Sequence, residues 1–105
     1  PWHPFQVGMA GLHPNCIEWL NDRDISVLGC DGVSDVLPGN NPDDWVMPIH
    51  QTVIVAMGVH LLDNLRLDRL ATACEQHSQW TFLFTVAPLR VEGGTGSPAN
   101  PIALL

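Results

Sequence analysis

Short helix-patterned and strand-patterned segments alternate along this chain, and that alternation limits its architecture more than any other feature. Residues 14–20 place a proline in the first turn of a short helix, with Ile17 and Leu20 toward a core. Residues 25–30 are β-rich and predict a buried strand, ending in a turn at Asp31 and Gly32. Pro48 opens a second helix through His50 to Met57, and Gly58 is placed to stop it. A short strand over 59–62, a turn at Asp63 and Asn64, and a helix-spaced stretch over 67–74 follow. Residues 80–86 carry the strongest strand pattern, closed by Pro88, and 102–105 would add an edge strand. This order predicts an α/β fold, a mixed sheet with flanking helices, rather than a bundle or a sandwich.

The chain has 105 residues, 46% of them hydrophobic and 14% charged, which is enough for one core. Neither an internal repeat nor a linker divides it, so a single domain over 1–105 is expected. The loops are marked by Pro38-Gly39-Asn40-Asn41-Pro42 and by Gly93-Gly94-Thr95-Gly96-Ser97-Pro98. Net charge is -7, lysine is absent and the arginines are scattered, so the basic footprint that phosphate neutralisation needs is missing. Nucleic acid is therefore not an expected partner. No apolar run approaches the roughly 20 residues of a membrane span. Three cysteines (Cys16, Cys30, Cys74) without CxxC spacing predict reduced thiols serving as small core residues, and a cytoplasmic location. The opening Pro1-Trp2-His3-Pro4 reads as a piece of a longer chain.

Five histidines in so short a chain invite a metal reading. His50 stands in the first turn of the helix after Pro48, and Asp63 follows the next strand. A helix and a returning strand would bring imidazole and carboxylate together as a nitrogen and an oxygen ligand for zinc or manganese. The alternative is a hydrogen-bonded helix histidine and a turn-closing aspartate. Asp31, Ser34 and Asp35 would line a site at the carboxyl end of a strand, where α/β folds tend to bind ligands, or would simply close turns. His60 is expected to be half-buried in its strand, and His77 to favour the C-terminus of its helix. His3 and His13 fall in loops. The glycine run at 93–96 lacks the lysine of a phosphate-binding loop, no GxSxG elbow occurs, and the cysteines have no adjacent histidine.

Three ordered patches carry a family resemblance. They are Val27-Leu28-Gly29-Cys30-Asp31-Gly32-Val33-Ser34-Asp35; His50 with Gly58-Val59-His60-Leu61-Leu62-Asp63-Asn64-Leu65; and Phe82-Leu83-Phe84-Thr85-Val86-Ala87-Pro88-Leu89-Arg90-Val91 through Gly93-Gly94-Thr95-Gly96-Ser97-Pro98. Together they resemble the C-terminal half of the cyclase family, the group that includes bacterial kynurenine formamidase and isatin hydrolase. The resemblance covers the chain from about Gly11 onward. It implies a swivelling β/β/α domain, here partial, and hydrolysis of a linear or cyclic amide or related acyl bond by water activated on zinc or manganese. It also implies that a helix histidine and a following glutamate complete the metal environment, at or near His50 and at Asp63. Two departures accompany it: Asp63 is shorter than the family's glutamate, and its interval from His50 is one residue longer.

The family's principal His-x-Gly-Thr-His-x-Asp segment is absent between Pro1 and Leu105. The expectation is therefore a C-terminal part of a metal-dependent hydrolase, inactive alone, with a small-molecule substrate and a homo-oligomeric parent. Its catalytic acid/base residue is not identified. The alternative is a non-catalytic binding or assembly module on the same scaffold, with Trp2, Trp45 and the acidic loops as contact surface.

Overall fold

The computed structural model describes residues 7–38 and 45–105. Trp2, His3 and most of the breaker around Gly39 to Pro42 lie outside the described residues. The chain is an α/β structure, as the alternation of elements predicts, but among the described residues its strands form two separate two-stranded sheets, one parallel and one antiparallel, in place of one mixed sheet. Two compact units make up the chain, Pro1–Arg66 and Leu67–Leu105.

The first unit opens with α1 (Cys16–Asn21), which buries Leu20 and turns Ile17 toward the same cluster. It continues through β1 (Val27–Gly29), a loop, a helix over His50–Ala56, and β2 (His60–Leu62). β1 and β2 pair in parallel, with Val27 opposite His60, Leu28 opposite Leu61 and Gly29 opposite Leu62. Parallel pairing requires a crossover, and the helix supplies it. Ile49 and Val53, four residues apart on that helix, are fully buried and form the core with Leu20 and Val59. Burying each of these side chains contributes roughly 1.5–3 kcal/mol. β1 is only half-buried, not the buried strand expected, because its ladder meets one three-residue partner among the described residues.

The crossover helix is wound more widely than an α-helix. Met57 N–H donates to the Thr52 carbonyl at 3.1 Å, five residues back, and beyond the helix end Val59 N–H reaches the Val53 carbonyl at 3.0 Å, six residues back. Thr52-Val53-Ile54-Val55 is β-branched throughout, and such side chains crowd the neighbouring turn of an α-helix. A π-turn spreads them apart. Gly58 then stops the helix at φ +68, as its position in the sequence predicts. An added Cβ there would meet no atom within 4 Å, so the penalty is confined to the backbone. Gly58→Ala is expected to lower stability by about 1 kcal/mol, and Gly58→Asn by less, read as the shift in urea midpoint. Asn64, at φ 57, makes the turn after β2 in the same left-handed region.

The second unit holds α2 (Asp68–His77), β3 (Leu83–Thr85) and β4 (Ile102–Leu104). Cys74 is its buried helix residue, and His77 stands in the last turn, where the helix dipole favours it. β3 and β4 pair antiparallel with Phe84 opposite Ala103, so the expected terminal strand forms. The strand predicted over 80–86 shortens to three exposed residues, since β4 offers only three partners.

Candidate active site

The parallel register places the carboxyl ends of β1 and β2 side by side. Cys30 N–H donates to the Leu62 carbonyl at 3.0 Å, Leu65 N–H to that of Cys30 at 2.9 Å, and Asn64 N–H to that of Gly32 at 2.8 Å. Asp63 is thus held beside the loop that leaves β1. That loop carries Ser34 and Asp35, and the leading segment of the chain secures it. Leu12 N–H donates to Ser34 at 2.8 Å, Val36 N–H to Leu12 at 3.3 Å, and Leu37 N–H to Met9 at 3.0 Å. Gly11 makes this crossing possible, because a Cβ there would overlap the Asp35 carbonyl.

Asp35 is fully buried, and its carboxylate meets the start of the crossover helix. Oδ1 accepts the Ile49 N–H at 2.7 Å, and Oδ2 accepts the His50 N–H at 3.1 Å. These are two of the amides that a helix start leaves without an internal partner, and a negative charge is favourable there. The same Oδ2 lies 2.6 Å from His50 Nδ1. On the opposite side of the ring, His50 Nε2 lies 2.9 Å from Asp63 Oδ2. Both side chains of that second contact keep about a fifth of their surface exposed, so it is reachable from solvent. Asp63 Oδ1 accepts from Ser34 N–H at 3.1 Å and from the Ser34 hydroxyl at 2.7 Å, with Cys30 Sγ at 3.5 Å.

His50 and Asp63, paired from the sequence, are therefore brought together. The loop residues separate. Asp31 is exposed and, with Ser34, borders a cavity of about 190 Å³ whose other walls include Leu12, Leu28, Cys30 and Val33. Asp35 is not part of that wall but sits behind His50, because the helix start and the imidazole take up its oxygens. Cys30 was expected only to fill core; its thiol reaches Ser34 and Asp63. Gly11 carries no local pattern that marks it, since the Asp35 carbonyl it approaches lies far along the chain, and the contact of Cys30 with Asp63 spans 33 residues. His60 is exposed rather than half-buried, its neighbour Leu61 taking the core-facing position of the strand. His13 accepts a hydrogen bond from Asn15 N–H at 3.3 Å, and Trp45 is exposed.

No family model matches the sequence, and no curated protein does. Among solved structures the chain is similar to one described as a novel cyclase, with a TM-score of 0.80 and 25% identity over 93% of this chain. The fold is cyclase-like. The chain spans 31% of the length of that cyclase. No helix among the described residues is long and apolar enough to cross a membrane.

The donor chemistry around His50 bears on whether a cation fits. A carboxylate only accepts, and a neutral imidazole has one N–H. With that proton on Nδ1 toward Asp35, Nε2 turns a lone pair toward a second carboxylate oxygen. Two acceptors at 2.9 Å call for a second proton or a cation between or beside them. A histidine whose far nitrogen is held by a carboxylate is the usual arrangement for a metal ligand. The pair offers one nitrogen and one oxygen donor and not a complete site: among the described residues no group of three or more His, Cys, Asp or Glu side chains is placed to hold an ion.

Proposed function

We propose that this chain supplies one side of the metal centre of a hydrolase that cleaves an amide, cyclic amide or related acyl bond. The observation that supports the reading is the convergence of His50 Nε2 and Asp63 Oδ2 at 2.9 Å, with Asp35 against the far side of the ring. His50 and Asp63 would hold zinc or manganese, together with ligands from polypeptide outside these 105 residues. A divalent ion there would supply an activated water and polarise the scissile carbonyl.

The chain's own residues then have separate tasks. Asp35 keeps the Nδ1 proton in place, so Nε2 presents its lone pair at a fixed angle. Asp63 contributes negative charge at the same point. The cavity beside Ser34 and Cys30 is mainly apolar and offers room for a small non-polar part of a substrate. The acid/base group that protonates the leaving amine is assigned to the remainder of the parent protein, and the 105-residue chain alone is expected to be inactive.

In the parent protein, His50→Ala is expected to weaken zinc affinity by more than about 100-fold, since loss of an outer partner alone costs about 10- to 100-fold. Amidase activity should fall with it, and a chelator should abolish activity in the unmutated protein. Isothermal titration with zinc and an assay on N-formyl aryl amides and cyclic imides read both effects. Zinc binding unchanged in His50→Ala, or hydrolysis that persists in chelator, would show the reading to be wrong.

A further inference from the structure

Ser34 and Asp35 are neighbours in the chain, yet they hold opposite members of the pair. Asp35 meets His50 at Nδ1, and Ser34 meets Asp63 at Oδ1. An aspartate on a turn with a fifth of its surface exposed has little to fix its carboxyl rotation, because that torsion is broad and roughly two-fold. Here Oδ1 receives both the Ser34 amide and the Ser34 hydroxyl, at 3.1 and 2.7 Å, which leaves Oδ2 to face His50. The shorter bond has the length of a charge-assisted O–H donor. Cys30, at 3.5 Å through sulfur, adds a weaker contact. Ser34 is only 2% exposed, and its hydroxyl proton is committed to Asp63.

We infer that Ser34 is a positioning residue that selects which oxygen of Asp63 faces His50, and that the Ser34-Asp35 dipeptide thereby sets the geometry of the whole pair. Ser34 acts through Asp63 and not on substrate, although it borders the cavity. The consequence for metal affinity rests on the proposed function; the positioning itself does not. It also accounts for how a short aspartate serves here. With one methylene fewer than glutamate, the carboxyl has little reach of its own, and two donors on one oxygen hold it across the gap to the imidazole.

The test uses the full protein with ¹⁵N-labelled histidine, free of metal and at fixed pH, with the His50 signals assigned by their loss in His50→Ala. In Ser34→Ala the Nε2 resonance should move and broaden while Nδ1 stays in place. Zinc affinity should fall about ten-fold or more. Ser34→Thr, which restores a hydroxyl, should return both toward the unmutated values. In an Asp63→Ala background, Ser34→Ala should add nothing, as for residues acting in series. Ser34→Cys, kept under reducing conditions because Cys30 Sγ lies 3.5 Å from the Ser34 hydroxyl, is close in shape with a weaker donor, and it carries the same test should Ser34→Ala fail to fold. An Nε2 signal indifferent to Ser34, or an effect that adds to that of Asp63→Ala, would overturn the inference. Should the unmutated protein bind no zinc while Nε2 still responds to Ser34, the metal reading falls and the positioning role stands.

Discussion

Asp35→Ala is expected to cost about 3 kcal/mol or more of stability, at roughly 1–3 kcal/mol for each buried donor left without a partner. The carboxylate accepts from two backbone amides, at Ile49 and His50, and faces His50 Nδ1, and the side chain is 1% exposed. Ile49 is itself fully buried, so its amide would find no water in exchange. The damage should reach beyond the helix start. Without Asp35 nothing holds the proton on Nδ1, and the ring is free to take the other tautomer with its N–H toward Asp63. Asp35→Asn separates the two effects: the volume is retained, but an amide NH₂ placed at one oxygen position meets donors instead of an acceptor's partners. A histidine so treated adopts the wrong tautomer. Urea unfolding should show a lower midpoint with an unchanged slope for both variants. On the proposed metal reading, Asp35→Asn should also lower zinc affinity under conditions where the variant is folded. A stability change within about 0.5 kcal/mol, the range of ordinary surface substitutions, would contradict the buried placement of Asp35.

Gly11→Ala is the second large effect. The added methyl would sit against the Asp35 carbonyl and the Val36 amide nitrogen, closer than real Cβ atoms come to such neighbours. These obstacles are backbone rather than the movable end of a side chain, and the hydrogen bonds joining Leu12 to Ser34 and to Val36 hold them in place. Overpacking of a fitted site costs about 1–3 kcal/mol and occasionally more; a clash with main chain belongs at the upper end, about 3 kcal/mol. Relief requires the Ser34-Asp35 loop to retreat, which would draw Ser34 from Asp63 and Asp35 from His50 together. Gly11→Ala should therefore lower thermal stability and, on the proposed metal reading, zinc affinity as well. Gly96→Ala is the matched control, since a Cβ at that position meets nothing within 4 Å. Equal melting temperatures for the two variants would refute the close crossing of Gly11 over the loop.

The residues differ in how far their roles are legible in the sequence. Gly58 and Asn64 were legible because each answers to its own backbone: a helix that must stop, a turn that needs a positive φ. Leu20 and Ile17 were legible from helix spacing. The strand pattern over 80–86 overstated β3, because propensity describes one strand and length depends on its partner. The widening of the helix over His50–Ala56 follows from its β-branched run only once its packing is known. At the site, His50 and Asp63 were paired from their places on successive elements, and they meet at 2.9 Å. The tasks of Asp35, Ser34 and Cys30 were not legible in the same way. Asp35 and His50 are 15 residues apart, Ser34 and Asp63 are 29, and which atoms face each other depends on the registry of two strands and a crossing loop.

By itself, then, the order of residues determined where helix, strand and turn segments alternate and where they stop, and it offered His50 and Asp63 as a candidate pair. Those properties depend on near neighbours along the chain, where the periods of helix and strand and the torsional limits of glycine, asparagine and proline apply. Tertiary structure alone decided that a buried carboxylate stands behind the imidazole, that a serine hydroxyl turns Asp63 toward it, and that Gly11 leaves room for the loop carrying both. Such contacts arise only when the parallel crossover closes, because distances of a few ångströms between remote residues are set by packing rather than by sequence separation.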